Sequence, residues 1–185
     1  MSDRDDELEL MRRTSRGEAA AFRTLANLHT GPLMSYAYRI LQDRAEAEDV
    51  TQETLLRLWK DASRYEPTAK VSTWLHRIAH NLCVDRLRSR RDKASDSERE
   101  SEGRTSDEPA SLLQEKRLAT AVDVALASLP ERQRAAVTLV HYQGFGNIEA
   151  AQILEIGVDA LESLLARGRR ALREKLSAQH EGSAS

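Results

Sequence analysis

Apolar residues recur along this chain at three- and four-residue spacing, and extended alternation is scarce. That period predicts helices. AAAFRTLANLH (19–29) and LMSYAYRIL (33–41) form two helical segments, divided by Thr30-Gly31-Pro32 with Pro32 suited to a helix's first turn. AEAEDVTQETLLRLWKDA (45–62) places Val50, Leu55, Leu58 and Ala62 on an apolar face, and Glu46, Asp49, Gln52, Glu53 and Arg57 on a charged one. In TWLHRIAHNLCVDRLRSRR (73–91), Leu75, Ile78, Ala79 and Leu82 should face a core. Ser15-x-x-Glu18 and Asp43-x-x-Glu46 have capping-box spacing, and Ser72 can cap the fourth helix. Further on, LLQEKRLATAVDVALASL (112–129) reads as a helix stopped by Pro130, and LPERQRAAVTLVHYQG (129–144) starts a second, with Pro130 suited to its first turn and Gly144 to its end. Asn147 can cap IEAAQIL, and Glu155-Ile156-Gly157 turns into a longer helix, Val158–Leu176. Short helix, three-residue turn and longer helix are the layout of a helix-turn-helix.

Between the two helical groups lies DKASDSERESEGRTSDEPAS (92–111), with seven acids, three bases and no side chain fit for a core. Burial cannot offset the ordering entropy of such a segment, so it reads as a flexible acidic linker. The expected fold is all-α: two small helical domains, 1–91 and 112–177, with a disordered tail at 178–185.

Composition agrees with helices: aromatics make up 4% of the 185 residues, and there are only 8 Gly and 4 Pro. The formal net charge of -2 hides an uneven distribution. His76 to Arg91 holds five arginines against Asp85, and Arg167 to Leu176 holds five bases against Glu174. One cysteine, Cys83, excludes an internal disulfide framework, and the N-terminus is acidic where a signal peptide would be basic and then apolar. With no membrane-spanning apolar run, a cytoplasmic protein is expected.

On the fourth helix Arg77, Asn81, Val84 and Arg88 form a stripe turned away from the core residues. Arg neutralises phosphate or reads guanine, Asn pairs with adenine, and an aliphatic group contacts a base face or methyl. Taken alone, the stripe is equally a solvated basic face. His76, His80 and Cys83 fall at i, i+4 and i+7 of the same helix, but Arg77 stands where a zinc-hydrolase HExxH motif needs glutamate, and no further ligand cluster completes a shell. These three read as flanks of the core face, with no metal and no cofactor expected. On the last helix Leu161, Leu165, Gly168, Leu172 and Leu176 make the apolar side; Asp159, Ser163, Ala166 and Arg170, flanked by Ala160 and Arg167, lie opposite.

With both halves in view, the chain resembles the extracytoplasmic-function (ECF) group of bacterial sigma factors, on AEAEDVTQETLLRLWK, STWLHRIAHNLCVDRLRSRR and LPERQRAAVTLVHYQGF, in that order. The resemblance implies a non-enzymatic protein that binds core RNA polymerase and directs it to promoters. It implies core-polymerase binding by Asp49, Gln52, Glu53, Leu56 and Trp59, and −10 recognition by Lys70, Arg77, Asn81, Val84 and Arg88, with a flipped base held by the Glu66–Ser72 loop. It implies −35 recognition by Asp159, Ala160, Ser163, Arg167 and Arg170, and control by an anti-sigma factor. Glu162 and Leu164 depart from the family's recognition-helix pattern, and Glu155 and Gly157 from its turn. The alternative that Glu162 and Leu164 support is a decoy that binds an anti-sigma factor without initiating transcription.

Overall fold

The computed structural model describes residues 3–96 and 122–182. All regular elements among them are helical. The first half holds α1 (Asp3–Ser15), α2 (Ala19–Leu41), α3 (Arg44–Asp61), a 3₁₀ turn at Ala62–Arg64, and α4 (Val71–Asp96). The second half holds α5 (residues 122–127), α6 (Glu131–Val137), a widened turn at Thr138–Tyr142, α7 (Asn147–Leu154) and α8 (Val158–Gly182).

α1 is absent from the expectation above. Its sequence, DRDDELELMRRTS, carries almost no apolar stripe, and among its described side chains only Met11 and Thr14 are buried. It is held by docking on α2, which no periodicity announces. Ser15 therefore ends α1, donating to the Arg12 carbonyl at 2.7 Å, and does not cap α2. Glu18 sits at the cap position but binds Arg13 at 2.8 Å, after Gly17 reverses the chain at φ +83.

The predicted break at Thr30-Gly31-Pro32 does not occur, and α2 runs straight through Pro32. A proline inside a helix removes one hydrogen bond and crowds the carbonyl four residues back. Here that residue is Leu28, which is 53% exposed, and Pro32 is exposed too. Water can therefore take the lost bond. Leu25, His29, Leu33 and Tyr36 are buried on the other side and hold both flanks in one line.

Asp43 caps α3 as predicted, accepting from the Glu46 N–H at 2.9 Å. Glu46 does not complete the box. Its carboxylate pairs instead with Arg90 of α4 at 2.7 Å, and the same guanidinium donates to the Leu41 carbonyl at 3.0 Å. That clamp ties the end of α2 and the start of α3 to α4. Ser72 is not a cap either: α4 opens one residue earlier, with Trp74 N–H donating to the Lys70 carbonyl at 3.1 Å. α4 continues to Asp96, into the stretch read as linker. The rest of that stretch, and residues 112–121 of the next predicted helix, lie outside the described residues.

In the second half Pro130 precedes the first helical residue, Glu131, and Gly146 holds the cap position expected of Asn147. The Gly146 N–H donates to the Glu149 carboxylate at 3.3 Å. The turn after α6 is one residue wider than an α-helix, with Gln143 N–H reaching the Thr138 carbonyl at 3.0 Å. Gly144 at φ +73 then lets Phe145 N–H bond the Leu139 carbonyl. This release swings Phe145 inward. α8 runs through Gly182, past the expected tail boundary.

Leu25, Leu33, Tyr36, Ile40, Val50, Leu58 and Leu75 are fully buried in the first half, and Leu126, Leu139, Ile153 and Leu161 in the second. Each fully buried aliphatic side chain stabilises by about 1.5–3 kcal/mol relative to exposure. The two cores are continuous through residues that include Phe145.

Candidate nucleic-acid interface

Along α4 the core residues Val71, Leu75, Ala79 and Cys83 are buried, and Arg77, Asn81 and Arg88 are exposed, with Val84 half-buried. The four stripe residues share one face because they repeat at the helical period. Arg86 also reaches back, pairing with Asp49 of α3 at 3.4 Å. Arg88 is exposed and makes no ion pair with a described residue.

His80 sits as a half-buried flank of the core, whereas His76 and Cys83, expected beside it, are buried within it. His76 is 2% exposed, its Nδ1 at 2.9 Å from the Ser72 carbonyl and its ring edge-on to Tyr36 and Phe145. His80 Nδ1 meets the Tyr36 hydroxyl at 2.9 Å. Burial lowers both imidazoles to about 4, so both are neutral near pH 7. Burial likewise raises the Cys83 thiol to about 12, which keeps it protonated and unreactive. Among the described residues no cluster of three or more His, Cys, Asp or Glu could hold a metal ion.

Ahead of α4, the loop is stiffened by the Tyr65 hydroxyl, which donates to the Ala69 carbonyl at 2.5 Å, and by Tyr65 lying edge-on to Trp74. Trp74 is thus half-buried as a loop support. A cavity of about 480 Å³ opens beside it, lined by Tyr65, Thr68, Trp74 and Arg77 of the first half and Gln152 and Glu155 of the second. Lys70, exposed at the loop's end, pairs with Glu149 at 2.9 Å.

The second candidate face is on α3. Asp49 and Gln52 are exposed, Glu53 is half-buried and pairs with Arg57 at 3.1 Å, and Leu56 and Trp59 are 50% and 38% exposed. Trp59 is braced by Phe22 of α2, ring to edge at 5.2 Å. Apolar groups held at the surface by a rigid helix, beside acids, form a surface suited to a protein partner rather than to DNA.

The third is on α8. Leu161, Leu165 and Gly168 are buried against α6 and α7, and Asp159, Ala160, Ser163, Arg167 and Arg170 are all exposed on the other side. Ser163, Ala166, Arg167 and Arg170 line one shallow depression. Leu164 packs on the core, and Glu162 is exposed and accepts from the Asn147 amide at 3.4 Å. The departures at these two positions therefore split: Leu164 supports the helix, and Glu162 braces the start of α7. Glu155 takes the left-handed conformation, φ 54, that ends α7, a position glycine fills without strain.

The structure brings together residues that the sequence kept apart. Arg77 donates to Glu155 at 2.6 Å, and Arg91 pairs with Glu131 at 3.2 Å. These acids escaped the sequence reading because no helical period links residues 40 to 80 positions apart. Glu155 stood out only as a departure at the turn, and Glu131 only as an acid at the start of a helix.

Comparison with known proteins assigns both halves. Residues 25–93 match the family Sigma-70 region 2, and residues 119–172 match Sigma-70, region 4. The chain is 29% identical over 176 residues to the ECF RNA polymerase sigma factor SigW of Bacillus subtilis, covering 90% of this chain and 94% of that one. It is 35% identical over 161 residues to SigL, an ECF RNA polymerase sigma factor of Mycobacterium tuberculosis, covering 84% of this chain and 89% of that one. Its fold is similar to the sigma factor RpoE of Bartonella quintana, solved in complex with the anti-sigma factor NepR, with a TM-score of 0.71, 26% identity and coverage of 84% of this chain and 96% of that one. The basic stripe on α4, the helix-turn-helix of α7 and α8, and these two regions in this order make the chain a member of the ECF group of RNA polymerase sigma factors.

Proposed function

We propose that this sigma factor binds core RNA polymerase and directs promoter-specific initiation, and that it performs no chemistry of its own. The observation that carries the reading is the α4 stripe, in which two guanidiniums and an amide stand on a rigid helix whose opposite face is buried. In this reading Arg77, Asn81, Val84 and Arg88 meet the −10 element, and Lys70 neutralises a phosphate beside the loop. A base flipped out of the stack costs a few kcal/mol unless a pocket compensates. The space between Tyr65, Thr68 and Trp74 is a candidate pocket. Asp159, Ala160 and Ser163, at the N-terminal end of α8, stand nearest the −35 bases, while Arg167 and Arg170 anchor phosphates. Asp49, Gln52, Glu53, Leu56 and Trp59 grip the polymerase. Residues 1–91 and 112–177 act as the −10 and −35 modules, joined through 92–111 because the two promoter elements lie far apart. The sigma factor itself acts in the cytoplasm, and by analogy with the RpoE–NepR complex an anti-sigma factor is the expected regulator.

Run-off transcription with purified core polymerase tests the reading. Sequence-selective initiation is expected, with Asn81→Ala slowing open-complex formation and leaving core binding unchanged. Tight anti-sigma binding with no initiation at any promoter would instead establish a decoy.

A further inference from the structure

The exposed face of α8 changes character along its length. Asp159 and Glu162 stand in its first two turns, and Arg167 and Arg170 follow one to two turns on. Ala160, Ser163 and Ala166, set among them, are small and exposed, so a duplex can approach this face closely. In a helix-turn-helix the leading end of the second helix meets base edges. The acids of this protein therefore occupy the base-reading end of α8, and the cations stand past it. Each acid needs a reason, because a carboxylate repels phosphate. Asp159 has one without DNA: it lies in the first turn, where the helix dipole favours negative charge. Glu162 lies beyond that turn. The residues one turn from it on either side are Val158, Asp159, Leu165 and Ala166, so the helix gives it no cation and one like charge. Its partner is on α7, where the Asn147 amide donates to Oε1 at 3.4 Å. That bond braces the start of α7 but does not call for a charge, since the oxygen of a glutamine would accept it equally well. The negative charge of Glu162 is thus unexplained by folding, and the bond to Oε1 leaves Oε2 for another donor. Neighbouring polar groups are already committed. The Ser163 hydroxyl donates to the Asp159 carbonyl at 3.0 Å, and Arg167 Nε donates to the Ser163 carbonyl at 3.2 Å.

From these observations we infer that Glu162, positioned by Asn147, is a base-reading residue of α8, and that the base it reads is cytosine. The inference rests on the −35 assignment made above. An ionised carboxylate only accepts hydrogen bonds. In the major groove two bases donate, cytosine through N4 and adenine through N6. Adenine sets its N7 acceptor beside that amine, and guanine offers acceptors alone. Cytosine is therefore the base whose own edge a carboxylate meets without an opposing acceptor. Arg167 and Arg170 supply the attraction to phosphate that Glu162 does not. On this reading the acid that departs from the family's recognition-helix pattern changes which base pair is read, and DNA reading itself is kept.

The test uses the full chain assembled with core polymerase. Duplexes randomised through both promoter elements are selected for binding, and the enriched sequences are compared between wild type and variants. Glu174→Gln, at an exposed acid further along α8, matches the charge change of Glu162→Gln. Wild type should enrich a −35 element with cytosine at one position. Glu162→Gln should lower the preference for that cytosine about tenfold and favour adenine there, because a glutamine amide pairs with N6 and N7 together. Glu162→Lys should favour guanine at the same position. Asn147→Ala should weaken the cytosine preference at that one pair, with the other positions unchanged and the melting temperature near wild type, a pattern that a purely structural brace does not produce. Glu174→Gln should keep the wild-type preference. If wild type and Glu162→Gln enriched the same −35 element, the inference would be overturned and the −35 assignment would stand. The same holds if Glu162→Gln tightened binding to every sequence alike, the mark of relieved phosphate repulsion. Enrichment of a −10 element with no −35 element would overturn the −35 assignment and the inference with it.

Discussion

Gly168 and Gly31 are both helical glycines, yet alanine should act oppositely at the two sites. In α8, a Cβ added at Gly168 would lie 2.8 Å from Val137 Cγ2, with the Gln133 Cβ and carbonyl oxygen at 3.7 Å. Carbon atoms prefer about 3.5–4.0 Å, so the new methyl is driven well inside the repulsive wall. Val137 cannot swing aside easily: it is 2% exposed and β-branched, with one strongly preferred helical rotamer. Overpacking of this kind costs about 1–3 kcal/mol. The gain in helix propensity from glycine to alanine returns about 1 kcal/mol. Gly168→Ala should therefore lower stability by about 1 kcal/mol, measured by urea unfolding followed at the helical ellipticity. In α2, a Cβ at Gly31 meets nothing within 4 Å, so Gly31→Ala should express propensity alone and raise stability by up to about 1 kcal/mol. Combining Gly168→Ala with Val137→Ala should recover the loss, because the new methyl then occupies space that the shortened Val137 side chain vacates. If Gly168→Ala stabilised the protein as Gly31→Ala does, the close approach of α8 to Val137 of α6 at Gly168 would be wrong.

Other outcomes follow from the same structure. His76 and His80 have folded-state values near 4 against about 6.5 unfolded, so between those values the unfolded chain binds more protons. Stability is then full above about pH 6.5 and falls as pH drops toward 4, with about 2 kcal/mol lost per histidine by about pH 5; thermal melts across that window should show it, and His76→Gln should flatten the profile. Leu56→Ala should weaken core-polymerase binding at least about tenfold, as for a central interface side chain, while its melting temperature stays near wild type because half the side chain is already exposed. Arg167→Ala and Arg170→Ala should each reduce the log–log salt slope of promoter binding by about 0.9, the contribution of one phosphate contact; an unchanged slope would mean that both face only solvent. Leu161→Ala, at a fully buried position under α8, should cost about 2–5 kcal/mol.

Much of this protein was legible in order along the chain. The periods of α3, α4 and α8 gave most of their inward faces because the helical repeat fixes which residues share a side; on α4 Leu75 and Ala79 are buried as expected, but Ile78 and Leu82 are only half-buried and His76 and Cys83 take the core instead. The basic stripe at Arg77, Asn81 and Arg88 and the polar face of α8 followed by subtraction. Local reading failed where a neighbour decided the outcome. α1 is a helix because Met11 is buried in the core it shares with the rest of the first half, and Pro32 stays inside α2 because Leu25, Leu33 and Tyr36 are buried on the far side. Ser15, Ser72, Glu18 and Glu46 have the chemistry of caps, but the start of α4 at Val71 and the guanidiniums of Arg13 and Arg90 gave them other positions or partners. His76 and His80 could have been ligands by spacing alone; the Ser72 carbonyl and the Tyr36 hydroxyl engage one nitrogen of each, and burial makes them neutral. What the sequence by itself determined was the set of helical faces and their chemistry, since both follow from residue type and a fixed local repeat. What only the tertiary structure decided was which faces meet, above all the acids of the second half on the bases of the first, because attraction between residues far apart in the chain leaves no periodic trace in it.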